Sequence, residues 1–507
     1  NDSTDELLSL GRTIGKPAAT EEQSVVEGEA VVGYRISPAE DPTPARRPRL
    51  MPVNPWVMTA EDQLSTFALD VDTASYDIAR RYINDGFLPP RYTVRMEEFV
   101  NSFDYNYPAG QDDSEAFTVY AEAGESPFTE GTVLLKIGVR GKVVGRDQAK
   151  PANLVFVIDT SGSMDRDDRL PLVRQSLAMV LDQLSPQDRV SVVSYGTEAR
   201  LLVEAVPATE KMRILDALES LQTGGSTNLL SGVELGYEVA QRQFITNGVN
   251  RVILNSDGVA NVGPSETQEL VDQAQTLRKQ GVTFTSVGFG AGNYDDEVLE
   301  QLANKGDGGY LFVGSLDEAK RVFVDNLAAT RPTIAFDAKI QVNFDPARVR
   351  RYRLIGYENR DIADTDFRND TIDAGEVGSG QSATALYEVE LLGPTLATDD
   401  QPDLGTVYVR YRDPDSGKVR EIESRLTNDM IAKRDAESDP RFFLAAGAAR
   451  FAEVLRGSEY VGDPDLNRSL AKVQGVLEPA AAQIPMDAAA QELVTLVRRS
   501  QGLPRAE

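Results

Sequence analysis

The spacing of hydrophobic positions changes character several times along the chain. Between about residues 60 and 145, "STFALDVDTASY" reads as a strand and "ASYDIARRYINDG" as a helix stopped by Gly86. "RMEEFVNSFDY" predicts a short helix with Met96, Phe99, Val100 and Phe103 on one face, and "AFTVYAEAG" and "TVLLKIGVRG" alternate as strands do. From 150 to 330 apolar runs alternate with helical periods. "NLVFVI", "RVSVVSY", "RLLVEA", "RVILNS", "TFTSVGF" and "GYLFVG" read as strands, separated by amphipathic segments such as "LPLVRQSLAMVLDQL" and "LLSGVELGYEVAQRQF". That alternation predicts an α/β unit, a doubly wound and mostly parallel sheet of Rossmann-like type. Strands return from 331 to about 428, with "DPDSGK" as a hairpin turn. Three helical segments follow: "PRFFLAAGAARFAEVLRG", "DLNRSLAKVQGVLEP" and "DAAAQELVTLVRRSQG".

This order predicts five parts. Residues 1–55 form a Pro-rich tether, 56–148 an α+β segment, 149–330 the α/β unit, 331–428 a β-rich segment and 429–507 a helical region. The α/β unit is then an insertion between β-rich flanks, and 110–148 is expected to share one sandwich with 331–428.

The 507 residues suit about three domains, with 41% hydrophobic and 26% charged residues as in folded globular proteins. No apolar run approaches the roughly 18 residues of a membrane span. A formal net charge of −28 argues against nucleic acid and anionic membrane as partners. The chain has no Cys and no His. Thiol nucleophiles, Ser-His-Asp triads and His/Cys zinc sites are thereby excluded, and any metal must be held by oxygen, which suits Mg²⁺, Ca²⁺ or Mn²⁺. The chain starts at Asn1, not Met, so a processed or trimmed start is expected and any export signal lies out of view.

The chemistry concentrates at strand ends. "LVFVIDTSGSM" runs an apolar strand into Asp159, Ser161 and Ser163. "TGGSTNL" puts Thr227 in a loop before a helix, and "VILNSDG" ends a strand at Asp257. Ligands of doubly wound folds sit outside the carboxyl ends of strands. Five oxygen ligands brought together there would suit Mg²⁺ and leave a position for an outside carboxylate. Sequence spacing alone does not bring Thr227 to the others, and a Ser-rich turn with a capping aspartate is the alternative.

D-x-S-x-S, a later Thr in a Gly-rich loop and a later Asp-Gly after an apolar strand resemble the metal-ion-dependent adhesion site of von Willebrand factor type A (VWA) domains. Asp159, Ser161, Ser163, Thr227 and Asp257 match that motif one by one. "STFALDVDTASYDIARRYINDGFLPPRYTVRMEEFVNSFDYNYP", "YRLIGYENR" and "FAEVLRGSEY" resemble the flanks of bacterial YfbK-like VWA proteins. The resemblance covers about 55 to 500. It implies a non-enzymatic module that captures an acidic side chain of a protein partner at a Mg²⁺-type site. It further implies export to the cell envelope, with lipid anchoring through residues outside this chain.

Several rival readings have sequence support. A surface or matrix component could self-associate through the same metal face. A VWA cofactor could serve a MoxR-type AAA+ ATPase in complex assembly. Asp70 and Asp72 in "LDVDTAS" invite a haloacid-dehalogenase-like phosphotransferase, but Ala74 stands where that motif has Thr or Val. Capping of the following helix by these aspartates is the expectation. "DRDDR" (Asp165, Asp167 and Asp168 with their arginines) and "FGAGNYDDE" (Asn293, Asp295) could rim the metal face and select a partner by charge, but a solvated turn with local ion pairs is the favoured reading of the first and N-capping by an aspartate that of the second.

Overall fold

The computed structural model describes residues 50–506, apart from 109, 111–114, 146–149, 259–263, 291–295, 307, 321, 324–331, 394–400 and 432–438. The N-terminal flank contributes β1 (Val57–Met58), β2 (Leu64–Ala68), α1 (Ala74–Asn84), α2 (Met96–Asn101), β3 (Phe117–Glu125) and β4 (Val133–Gly141). The α/β unit follows as β5 (Ala152–Asp159), α3 (Leu170–Leu181), β6 (Arg189–Tyr195), β7 (Ala199–Pro207), α4 (Lys211–Glu219), α5 (Leu229–Arg242), β8 (Val249–Ser256), α6 (Pro264–Arg278), β9 (Val282–Phe289), α7 (Asp296–Lys305), β10 (Tyr310–Val313) and α8 (Leu316–Lys320). Then come β11 (Thr333–Phe344), β12 (Val349–Ile355), β13 (Gly375–Gly378), β14 (Ser382–Leu391), β15 (Gly405–Arg412) and β16 (Val419–Leu426). Helices α9 (Pro440–Arg456), α10 (Leu466–Gln483) and α11 (Ala488–Ser500) close the chain.

The α/β sheet runs β10-β9-β8-β5-β6-β7, parallel except for β7, which lies antiparallel to β6. Val, Ile, Leu and Phe fill β5, β6, β8 and β9, as burial on both faces requires. Chain order reverses at β5: the next strand lies on one side of it and β8 on the other. Asp159, the last residue of β5, therefore stands at the switch point where such sheets place their ligands.

Strands from before and after this unit share two further sheets. One has the order β1-β12-β14-β4-β3, and the other β13-β11-β15-β16 with β2 paired to β11. Their facing sides bury Phe67, Leu135, Ile137, Ile340, Val342, Tyr387, Val407 and Tyr411 in one core. A separate core joins α1 and α2 to the distant helices α9, α10 and α11 through Phe99, Phe103, Phe442, Phe451, Leu470 and Leu493. The predicted apolar face of α2 (Met96, Phe99, Val100) and Phe103 all enter it.

Three local expectations change. The docked chain begins before the expected tether boundary at 55: Arg456 donates to the Met51 carbonyl (2.8 Å) and Asn54 to that of Gly356 (2.7 Å). Asp70 and Asp72 do not cap α1. Arg360 binds both, at 3.0 and 3.2 Å, and the Ser75 amide at the helix start donates instead to Glu98 (2.7 Å). An aspartate pair held by a guanidinium also lacks the free nucleophile that a phosphotransferase needs. Finally, α10 does not stop at Pro479 but runs on to Gln483, because Ala480 and Ala481 are buried beyond it. Packing there outweighs the one hydrogen bond lost at the proline.

The buried acids predict how stability depends on pH. Burial pushes Glu97 and Glu98 above the ordinary carboxylate range, and burial with the neighbouring Glu97 charge pushes Glu358 up to about 7. The folded state thus holds protons that the unfolded chain releases above about 4.5, so each group loses stability as pH rises from there through its raised value, about 7 for Glu358. Glu388 has the opposite sign. Burial alone would raise it, but Arg353, the Thr129 hydroxyl and Arg450 hold it below its ordinary value, so its contribution is lost as pH falls through that lowered value. Urea unfolding across pH 4 to 8 is expected to show its highest midpoint near about pH 5. A midpoint that rises steadily towards pH 8 would contradict these assignments.

Candidate metal centre

The register of the parallel sheet assembles the centre. Asp159 pairs with Tyr195 at the end of β6, and Ile158 pairs with Asn255 of β8, which brings Ser256 beside Asp159 and Asp257 just beyond it. Both neighbours reach the same carboxylate: Ser256 Oγ donates to Asp159 Oδ2 at 2.9 Å and Tyr195 Oη at 3.2 Å. The Ser161 amide donates to Asp159 Oδ1 (2.8 Å). One buried aspartate is thus fixed by three donors from three segments.

The Thr227 loop is joined to the Asp159 loop through the backbone. The Gly224 amide donates to the Thr160 carbonyl at 2.8 Å and the Gly162 amide to the Gly225 carbonyl at 3.4 Å. Gly225 has φ +80°, and a Cβ there would meet Thr197 Oγ1 at 2.4 Å, so glycine is needed for this close approach. Asn228 then caps α5, accepting from the Ser231 amide at 3.1 Å. Thr227 lies half-buried at this tip. The fold thus lays the loop that carries Thr227 against the loop that carries Ser161 and Ser163.

Ser161 Oγ and Ser163 Oγ lie 3.0 Å apart. A metal–oxygen distance of about 2.1 Å places adjacent ligands of an octahedron about 3 Å apart, so this pair matches one octahedral edge. Burial pushes the Asp159 carboxyl above its ordinary range and the Asp257 charge adds to that, against the Ser161 and Ser256 hydrogen bonds, which lower it. An Asp159 carboxylate buried beside a second negative charge is what a cation at this place would relieve. The donor set, two carboxylates and three hydroxyls without nitrogen or sulfur, fits a hard divalent cation.

Two participants escaped sequence reading. Tyr195 was only the last letter of a strand. Its ring lies against α5 at Gly232, where a Cβ would come within 2.6 Å of it. Arg169 was placed in the charged rim. Instead it is buried, donates to the Ser163 carbonyl at 2.6 Å, and forms an ion pair with Asp257. Among the rim aspartates, Asp165 and Asp167 are exposed, whereas Asp168 is bound by Arg81 of α1 at 2.8 Å. Asn293 and Asp295 lie outside the described residues.

Tyr195→Phe removes one of the two side-chain donors to Asp159 Oδ2. It is expected to weaken Mg²⁺ binding about tenfold, the scale of a lost outer-shell partner. Calorimetric titration checks this, and an unchanged affinity would remove Tyr195 from the site.

A large cavity lies elsewhere. It has a volume of about 1270 Å³ and is lined by Ala152, Asp188 and Arg251 at the amino ends of the parallel strands, facing Arg140 and Arg360 of the sandwich. A second acidic group, Asp70, Glu97 and Glu98, has carboxylate oxygens within 4.8 Å of one another, but Arg360 binds Asp70 and Arg95 pairs with Glu98.

Comparison with known proteins gives three family matches along the chain. Residues 49–136 match the model described as von Willebrand factor, 153–323 the von Willebrand factor type A domain, and 329–503 the C-terminal region of the uncharacterized protein YfbK. YfbK of Escherichia coli (strain K12) is 33% identical over 470 residues, covering 89% of this chain and 80% of that protein. Inter-alpha-trypsin inhibitor heavy chain H2 of Mus musculus is 25% identical over 307 residues, 56% of this chain and 30% of its own length. The solved von Willebrand factor type A protein from Catenulispora acidiphila aligns with a TM-score of 0.47 at 14% identity, over 78% of this chain and 99% of that one. With the α/β unit, both flanks and most of the E. coli protein's length accounted for, the chain belongs to the YfbK family of von Willebrand factor type A domain proteins.

Proposed function

We propose that the protein is a non-enzymatic, cation-dependent binding module of the cell envelope that takes an acidic side chain of a protein partner at the carboxyl end of its parallel sheet. The observation that carries this reading is the Ser161–Ser163 oxygen pair, 3.0 Å apart, set beside two buried carboxylates. Asp159, Ser161, Ser163, Thr227 and Asp257 would hold the ion. A divalent cation of the Mg²⁺ type supplies, when bound, an electrophilic position for one more oxygen ligand. Ser256, Tyr195 and the Ser161 amide keep the Asp159 carboxylate turned to the site. The exposed Asp165 and Asp167 face an approaching partner, whose surface around the captured acid is then best neutral or basic.

A pull-down from the native envelope fraction tests the reading, with wild-type protein in Mg²⁺ and in EDTA and with Asp159→Ala in Mg²⁺. A protein retained by wild type in Mg²⁺ alone is the expected result. Equal retention in all three would place binding on the β-rich flanks and end the proposal.

A further inference from the structure

We infer that Arg169 is a fixed counter-charge that makes the cation-loaded centre demand an anionic ligand. The inference rests on the metal reading above and names the residue that gives it acid specificity. Arg169 is seated firmly: its side chain is 6% exposed, and that of its partner Asp257 is fully buried. One guanidinium nitrogen serves both the Ser163 carbonyl and the Asp257 carboxylate. The aliphatic stem lies on the backbone of Gly290, where a Cβ would come within 2.6 Å of Arg169 Cγ. A guanidinium packed on backbone and bonded to two of the five ligand residues has no cheap alternative position.

The charge balance follows. Asp159 and Asp257 bring two negative charges, and Arg169 cancels one. A divalent cation therefore leaves the centre with one positive charge in excess, inside a buried environment where such an excess is expensive. Two effects follow: the cation binds weakly by itself, and a carboxylate completing the coordination restores neutrality. Cation and acid must therefore bind with positive coupling, each raising the affinity of the other by the same factor. Neutral oxygen donors, such as a side-chain amide or hydroxyl, gain no such factor.

Calorimetric titration of Mg²⁺ at constant ionic strength, with acetate or chloride as the anion, tests this in wild type, Arg169→Gln and Arg169→Lys. Acetate is expected to raise the wild-type Mg²⁺ affinity several-fold. R169Q should bind Mg²⁺ in chloride roughly tenfold more tightly than wild type and lose most of the acetate effect. R169K, which keeps the charge, should behave as wild type. R169Q that binds Mg²⁺ in chloride no more tightly than wild type would overturn the inference and leave the cation site standing. A wild type without Mg²⁺ affinity, acetate present or absent, would sink the metal reading itself. Should R169Q fail to fold, the wild-type comparison decides alone, and an affinity indifferent to acetate overturns the inference.

Discussion

Asp159→Ala is expected to lower divalent-cation affinity by more than about 100-fold while leaving the protein folded. Outer-shell losses alone cost about 10- to 100-fold, and this substitution removes a charged ligand outright. The fold should survive. Tyr195 and Ser256 lose their shared acceptor, which costs about 1–3 kcal/mol, and a domain of ordinary stability has about 5–15 kcal/mol to lose. Removal of a buried carboxylate held against Asp257 offsets part of that cost. Calorimetry and circular dichroism together give the answer. Retained affinity would mean that the cation sits elsewhere.

The second large effect concerns the joint between the sandwich and the C-terminal helices. Arg353 of β12 is completely buried; it donates to Glu388 of β14 at 2.6 and 3.1 Å and pairs with Glu453 of α9 at 3.0 Å. Arg450 pairs with the same two glutamates, at 3.1 Å each. Two guanidiniums and two carboxylates thus balance in a buried interface. Arg353→Met leaves one buried negative charge uncompensated and should cost about 3–5 kcal/mol. Adding Glu388→Gln restores the balance, so the double variant should be less destabilised than the sum of the two single ones. Strict additivity in urea unfolding would show that the four groups do not act as a unit.

What was readable in the sequence divides along physical lines. The strands β5, β6, β8, β9 and β10 were legible because burial on both faces demands continuous apolar runs. The candidate ligand residues were legible because each lies near the end of an apolar strand or the start of a helix. Tyr195 and Arg169 were not. Tyr195 reaches Asp159 only through the register of β6 on β5, and Arg169 turns inward only because Gly290 leaves room for its stem. A charge-rich loop such as "DRDDR" reads as solvated, and nothing local tells the one buried arginine from its exposed neighbours. The same holds for α2. Its apolar face was plain, but Glu97 and Glu98 are buried by α1 and the Gly356–Tyr357 turn, which lies far along the chain: the Ser75 and Tyr357 amides donate to them at 2.7 and 3.0 Å. Strand order suggested one sandwich built from both flanks. The pairing of β2 with β11 and of α1 and α2 with α9 to α11 joins segments hundreds of residues apart, beyond any local pattern.

The central claim is that one divalent cation sits among Asp159, Ser161, Ser163, Thr227 and Asp257. Anomalous diffraction from crystals grown with Mn²⁺ tests it most directly. The account predicts a strong anomalous peak bounded by the Ser161 and Ser163 hydroxyls and the Asp159 carboxylate, absent from Asp159→Ala crystals. No peak there, or a peak only at Asp70, Glu97 and Glu98, would contradict it.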